Sequence, residues 1–331
     1  MSQSRLTQAK SQQISKDSKV FVAGHRGLVG SHLTAKLQEL GFRNLLLKHR
    51  SELDLTNQEQ VNKYFKSERP DIVYIAAGKV GGIVANQNEP AEFLYQNIMI
   101  AANVMSAAAT YGTKKLLYLG SSCIYPKMAE QPIKESSLLT STLEKTNEGY
   151  ALAKIAGVKM CEYYRKQYNK NFISAMPCNL YGPRDNFHPE NSHVIPGMMR
   201  RFHNAVIAGD EQVVIWGTGN VFREFLHVQD LAAALPFLME HYESGETINV
   251  GSGQEMSIRE LAESMAKVVG FKGKLVFDAS KPDGTPRKIM DNSKIAALGW
   301  VPKISFLEGL AETYKWAVEE DKFSLPLQKA V

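Results

Sequence analysis

Lys19-Val20-Phe21-Val22-Ala23-Gly24-His25-Arg26-Gly27-Leu28-Val29-Gly30 carries the pattern that decides the fold. A short apolar run ends in glycine, the form of a strand buried on both faces. Gly24, Gly27 and Gly30 then stand at G-x-x-G-x-x-G spacing. Apolar residues at helical intervals occupy 28–40, and Gly41 supplies a stop. Strand, glycine turn and helix in this order let backbone N–H groups approach a pyrophosphate at the helix N-terminus. The same glycines would also serve a plain βα turn, so the surrounding order of elements has to decide.

That order repeats outward. Further strands are expected at Leu45-Leu46-Leu47, 71–77, 115–120 and 172–176, with helices over Pro90–Thr110 and 150–168. Alternation of this kind builds βαβ units, hence an α/β, Rossmann-type doubly wound parallel sheet. After Pro177 the texture changes. Residues 179–221 read as loop, with Pro183, Pro189, Pro196 and several glycines. From Gly251 onward come a helix over Ile258–Val269, a strand at 274–277 and a last helix near 307–319, which suit a smaller, mixed C-terminal substrate domain. The expected division is a disordered tail at 1–17, a cofactor domain at 18–178 to which part of 225–250 returns, and a substrate domain from 179–224 and 251–325. A transit peptide is the alternative for the tail, but no apolar face supports it.

Composition narrows the partners. With 44% hydrophobic and 22% charged residues the chain has the make-up of a globular protein with a sizeable core. Its net charge of +5 is spread along the chain rather than blocked, which argues against nucleic acid and suits an anionic small molecule. No run of 18 apolar residues exists, so no membrane partner is expected. Cys123, Cys161 and Cys178 form no C-x-x-C, and no signal peptide is evident, so a reducing cytoplasm is the expected compartment. His188 and His193 lack a thiol and carboxylate set at zinc spacing, and no metal is expected.

The residues after the second strand bear on the cofactor. An NAD site would place Asp or Glu there to bond the ribose 2′-hydroxyl. Lys48-His49-Arg50 stands there instead, and a guanidinium suits a 2′-phosphate, which favours NADP(H). A solvated charge cluster at a strand end is the plainer alternative. Ser121, Tyr150 and Lys154 form the chemical constellation. Tyr150 and Lys154 at i and i+4 share a helix face, so the ammonium is expected to draw the phenol toward useful acidity. Ser121 ends the fourth strand, at the sheet edge where ligands bind. Cys123 would face the same side if the extended backbone continued two residues further, and it is otherwise a small core residue. By the residues alone, His193 reads as a surface or helix-capping histidine.

Longer motifs then connect the chain to a family. Gly120-Ser121-Ser122-Cys123-Ile124-Tyr125-Pro126, the stretch 179–189, Asn191-Ser192-His193-Val194-Ile195-Pro196 and Arg223-Glu224-Phe225-Leu226-His227-Val228 are similar to those of the GDP-L-fucose synthases, which are extended short-chain dehydrogenases/reductases. Residues 78–83 and 281–288 complete a resemblance that covers about 18–320. Two departures stand out: Gly149 precedes the tyrosine where proline is expected, and Cys178 stands where threonine is expected. The resemblance implies conversion of GDP-4-keto-6-deoxy-D-mannose to GDP-L-fucose, by epimerisation at C3 and C5 and NADPH reduction at C4. It implies Cys123 as general base and His193 as general acid. Ser121 and Tyr150 would steady the enolate oxygen, and Tyr150 would protonate the C4 oxygen. Nearby cations would bring the Cys123 thiol toward neutrality.

By the same resemblance Gly24, Gly27, Gly30, Arg26, Arg50 and Lys154 hold the cofactor. Arg26 would lie near adenine and Arg50 at the 2′-phosphate. Asn179, Arg201, Trp216, Arg223, Asp283 and Lys288 would hold the GDP-sugar, although Trp216 taken alone reads as a core residue of the strand at 213–216. A homodimer through the helices at Pro90–Thr110 and 150–168 is implied as well. Rival readings are another nucleotide-sugar epimerase, dehydratase or reductase of this type, and a non-catalytic NADP sensor. A dehydratase would want an acidic pair where Cys123-Ile124 stands, and a sensor has no need of both Tyr150 and Lys154.

Overall fold

Strands rich in Val, Ile, Leu and Tyr, buried along nearly their whole length, can sit only inside a sheet covered on both faces. The computed structural model, which describes residues 14–189, 191–281 and 283–324, shows that arrangement. In chain order come β1 (Lys19–Ala23), α1 (Leu28–Glu39), β2 (Asn44–Leu46), α2 (Gln58–Glu68), β3 (Ile72–Ile75), α3 (Ile83–Asn88), α4 (Pro90–Thr110), β4 (Lys115–Leu119), α5 (Glu148–Tyr168) and β5 (Asn171–Pro177). Then follow β6 (Asn179–Tyr181), α6 (Val194–Ala208), β7 (Gln212–Trp216), β8 (Phe222–His227), α7 (Val228–His241) and β9 (Ile248–Val250). The last are β10 (Glu255–Ser257), α8 (Ile258–Val269), β11 (Lys274–Asp278), β12 (Arg287–Lys288), α9 (Ser293–Ala297) and α10 (Phe306–Glu319).

The large sheet is parallel throughout, in the order β2-β1-β3-β4-β5-β9. The chain leaves β1 toward β2 and then crosses back to β3. The strand order therefore reverses beside β1, and a crevice opens at its carboxyl edge. Helices α1 and α7 pack on one another, as do α2, α4 and α5. One continuous core runs through the sheet, including Phe21, Leu33, Tyr74, Val104, Leu117, Ile173 and Leu235. A second core, with Phe187, Met199, Phe202, Leu261, Met265 and Leu310, lies among α6, α8 and α10. Beside it, β8 pairs with β6, β10 and β12, while β7 pairs with β11.

One expectation changes here. Residues 179–221 are not mainly loop, because they hold β6, α6 and β7. Ile195, Met198, Met199 and Phe202 bury one face of α6. Pro196 falls in the first turn, where a missing N–H costs little, and Gly209 (φ +71°) closes the helix. Proline and glycine were thus helix punctuation rather than loop. In α7, Pro236 lies inside a real helix whose apolar face covers α1 and β4. Of the stretch 1–17 expected as a tail, residues 1–13 lie outside the described residues. Ile14 packs against the main core, and the Lys16 ammonium sits 4.2 Å from the Phe42 ring centroid.

Two buried polar residues anchor the chain around 290–292. Asn249, fully buried, accepts from the Tyr125 hydroxyl at 2.6 Å and donates to the carbonyls of Ile133 and Asp291. The fully buried Glu224 carboxylate accepts from Gly253 N at 2.8 Å, Met290 N at 2.9 Å and Asn292 Nδ2 at 3.0 Å. Burial raises its pKa against those hydrogen bonds. Substituting Glu224→Ala strands three donors at once and is expected to cost about 3 kcal/mol or more. The urea midpoint should fall with an unchanged slope; an unmoved midpoint would show that these bonds do not stabilise the fold.

Candidate active site

The glycine turn is shaped by close approach. A side chain at Gly30 would put its Cβ 2.1 Å from the Gly24 carbonyl oxygen, and one at Gly24 (φ +85°) would meet Ala77 N at 2.7 Å. Helix α1 therefore starts directly against the ends of β1 and β3. Gly27 occupies the N-cap with no side-chain cap, no acid lies in the first turn, and the N-terminal N–H groups are left for an anion. His25 Nδ1 is buried beside this turn without a hydrogen-bond partner. Arg26 and Arg50 are both exposed. The Lys48 ammonium is paired with Glu52 at 3.2 Å, and Glu52 also accepts from His49 N at 2.8 Å. Of the basic pair at 48 and 50, Arg50 is the one not committed to this carboxylate. These residues fit a dinucleotide with a 2′-phosphate.

At the end of β4 the chain does not stay extended. Ser122–Ile124 is a single 3-10 turn capped by Ser121, whose hydroxyl oxygen accepts from Cys123 N at 3.4 Å. That turn brings the Cys123 thiol to 3.2 Å from the Ser121 hydroxyl oxygen. The two groups do meet, but through a turn rather than a continued strand. Tyr150, at the start of α5, is near enough to Ser121 for that hydroxyl to favour its ionised form, and has Phe93 edge-on at 6.2 Å. One turn on, the buried Lys154 ammonium donates to the Leu119 carbonyl at 2.8 Å, 5.7 Å from the Tyr150 ring centroid.

Ionisation differs from expectation at two positions. Burial raises the Tyr150 phenol above its ordinary value, outweighing the Ser121 hydroxyl. Burial likewise raises the Cys123 thiol, although Lys288, Ser121 and Lys154 each pull it down. Lys154 moves the other way, pushed down to about 8 by burial, with Cys123 opposing. An ammonium near 8 can release and regain a proton close to neutral pH.

The second unit supplies cations. Lys288 on β12 stands in register with Arg223 on β8. Lys288 lines one small cavity together with Cys123, Lys127 and Glu144. Burial lowers the Lys288 pKa, and the Cys123 sulfur opposes that. Arg223 donates to the carbonyls of Phe222 and Thr285 at 2.7 and 2.6 Å, and Asn179 donates to the Glu224 carbonyl at 2.9 Å. Around the end of β7, Arg201 donates to the Val214 carbonyl at 2.6 Å, and Asp283 accepts from Thr218 N and Oγ1 at 2.9 and 2.7 Å. Trp216 is 63% exposed, on the solvent side of a strand whose residues alternate, and so is not a core residue. Lys281 lies 5.7 Å from its ring centroid. An open surface cavity lined by His203, Ile207, Val318 and Phe323 contains none of the expected site residues.

His193 occupies the N-cap position of α6 but makes no capping hydrogen bond through its side chain. Its Nδ1 faces Asp185 Oδ1 at 3.9 Å. The loop at 78–82 links this region to Lys154. A Cβ at Gly78 would lie 3.7 Å from Lys154 Nζ, and Gly82 N donates to the Asn191 carbonyl at 3.3 Å. Asn97, buried on α4, holds that loop by accepting from Lys79 N at 3.1 Å and donating to the Lys79 carbonyl at 3.0 Å. Asn97, Asp185 and Glu224 escaped the sequence reading. An amide on the mostly apolar α4 was the one local signal for the first, while the other two lie inside the motifs at 179–189 and 223–228 without having been given a role. Among the described residues no cluster of three His, Cys, Asp or Glu side chains is placed to hold a metal, and no helix is long and apolar enough to cross a membrane.

The chain is similar to known proteins over most of its length. Residues 20–251 match the NAD dependent epimerase/dehydratase family. The chain is 61% identical over 301 residues to GDP-L-fucose synthase 1 of Arabidopsis thaliana, covering 91% of this chain and 93% of that one. It is 55% identical over 315 residues to GDP-L-fucose synthase of Escherichia coli (strain K12), with coverage of 92% and 98%. Among solved structures, a GDP-L-fucose synthetase from Naegleria fowleri bound to NADP superposes with a TM-score of 0.85 at 28% identity, with coverage of 93% and 96%.

The balance at Cys123 can be tested directly. Alkylation by iodoacetamide, followed on the Cys123 peptide by mass spectrometry, should rise only above about pH 8.5, the ordinary thiol value. Lys288→Met should move the rise further up, since a cation that favours the thiolate is lost. Fast alkylation of the parent protein at pH 7 would contradict the burial argument.

Proposed function

The chain belongs to the NAD dependent epimerase/dehydratase family, and within it we propose that it converts GDP-4-keto-6-deoxy-D-mannose to GDP-L-fucose, by epimerisation at C3 and C5 followed by reduction at C4 with NADPH. The observation that carries this reading is the thiol. Reduction of a ketone needs a hydroxyl, a tyrosine and a lysine, and a cysteine within 3.2 Å of that hydroxyl is surplus to it. Epimerisation beside the ketone needs a base, and Cys123 is the group in place.

The C4 ketone acidifies the protons at C3 and C5 because its oxygen can take the enolate charge. Cys123 removes a proton, with Lys288 and Lys154 favouring its thiolate form against burial. Ser121 and Tyr150 donate to the enolate oxygen, a preorganised pair of the kind that stabilises developing negative charge. His193 returns a proton from the opposite face. In the second stage Tyr150 protonates the C4 oxygen, and Lys154, with its pKa near 8, replenishes charge beside it. NADPH, when bound, supplies the hydride. The glycine turn, Arg26, Arg50 and Lys154 would hold it, with Arg50 at the 2′-phosphate. Asn179, Arg201, Trp216, Arg223, Asp283 and Lys288 would hold the GDP moiety, where cations answer the diphosphate and the exposed indole offers a stacking face.

A homodimer through α4 and α5 belongs to the same proposal, supported by the exposed side chains of Tyr95, Leu152 and Tyr163 on those helices. A cytoplasmic location accords with three unpaired cysteines.

Incubation with GDP-4-keto-6-deoxy-D-mannose and NADPH should consume 340 nm absorbance and yield GDP-L-fucose. Cys123→Ser should abolish the epimerised product, and Tyr150→Phe should slow reduction about 100-fold or more. An un-epimerised 6-deoxy sugar from the parent enzyme would sink the roles of Cys123 and His193. Arg50→Ala should weaken NADPH binding about tenfold or more and leave NADH unchanged, because one charge-assisted contact to the 2′-phosphate is lost. Equal losses for both cofactors in a calorimetric titration would remove Arg50 from that contact.

A further inference from the structure

We propose that Asp185 is a positioning residue that keeps His193 protonated and fixes which ring nitrogen delivers the proton; this rests on the acid role given to His193 above. His193 sits where a positive charge is disfavoured. It occupies the N-cap of a 15-residue helix, the positive end of the helix dipole, and partial burial of the ring also favours the neutral form. Asp185 opposes both. Its side chain is 4% exposed, and its Oδ1 lies 3.9 Å from His193 Nδ1, an ion-pair contact that a small rotation of the half-exposed imidazole closes into a hydrogen bond.

Asp185 is held rigidly for this task. Its N–H donates to the Gly182 carbonyl at 3.2 Å, and its Oδ1 accepts from Asn186 N at 2.7 Å. The preceding Arg184 has φ +69°, a left-handed conformation that turns the chain sharply there. Asp185 Oδ2 is buried and has no hydrogen-bond partner. An ionised carboxylate in that state is costly without a cation beside it, and His193 is the cation within reach.

The 78–82 loop, which packs against Asn191 and Ser192, brings Lys79, and its ammonium is paired with Glu89. Helix α3 beyond it carries no charged residue. Asp185 is thus the described group that raises the His193 pKa, as the carboxylate facing its ring nitrogen. With Nδ1 turned to Asp185, Nε2 is left to face the substrate. A proton given up there leaves a neutral ring with its remaining hydrogen on Nδ1, still directed at the carboxylate.

The sign of the effect follows. A raised histidine pKa means that the ion pair is complete at low pH and is lost as pH rises through the folded-state value. Asp185→Asn keeps an acceptor for Asn186 N and removes the charge; Asp185→Glu keeps the charge. In the full chain, the His193 Cε1–H resonance, assigned by its loss in His193→Gln, should titrate at lower pH in Asp185→Asn and return toward the parent value in Asp185→Glu. An unchanged midpoint in Asp185→Asn, or failure of Glu to restore it, overturns the inference whatever the reaction is. Deuterium uptake at C3 and C5 of GDP-4-keto-6-deoxy-D-mannose in D2O then reads the link to chemistry. Its alkaline limb should shift down in Asp185→Asn by the same amount as the resonance. A shifted resonance with no uptake by the parent enzyme would sink the epimerase reading and leave the Asp185–His193 pair standing.

Discussion

The Lys154 ammonium, buried on the Leu119 carbonyl between the rings of Tyr118 and Tyr150, sets the distance between α5 and β4 on which the site depends. A buried cation is tolerated only with acceptors around it, and here one carbonyl and two π faces provide them. Such closeness demands small residues on the contacting face of α5. A side chain at Gly157 would meet the Tyr118 ring at 2.4 Å, and Ala151 and Ala153 are buried nearby. Gly149, where a proline was expected, serves a second close approach, of α5 to α4, because a Cβ there would lie 2.8 Å from the Pro90 carbonyl. Once α5 is seated, Tyr150 has to meet Ser121, and the 3-10 turn after Ser121 carries Cys123 to the same point.

The second unit completes the electrostatics. Glu224 and Asn249 pin residues 290–292, and that segment follows directly from β12 with Lys288. Lys288 thereby reaches the Cys123 environment from far along the chain. Burial and cations then pull the thiol in opposite directions, and burial prevails. A base that is protonated at rest and ionises when a further interaction tips the balance is consistent with a group that must act only on bound substrate.

Much of the scaffold was legible in residue order. Helices α4 and α8 end where the sequence periodicity ends, because Pro90, Ser257 and Gly270 are local punctuation whose effect needs no distant partner. The glycine turn was legible for the same reason. Helix α6 was not, since Pro196 and Gly209 were read as loop residues when they start and stop a helix. Trp216 taken alone read as core because an alternating strand has two faces, and only packing tells which one meets solvent.

The site divides along the same line. Sequence alone determined the doubly wound order of elements, the glycine turn and the presence of Ser121, Tyr150 and Lys154 at spacings that put them on one edge. The glycine turn and the Tyr150–Lys154 pair depend on backbone sterics and side-chain periodicity within a dozen residues, and Ser121 joins them through the order of the elements. Tertiary structure alone decided which charges survive there. It raised Tyr150 and Cys123, lowered Lys154 and set Asp185 against His193. Ionisation depends on how much water and which distant charges surround a group, and chain folding, not residue order, brings those neighbours together.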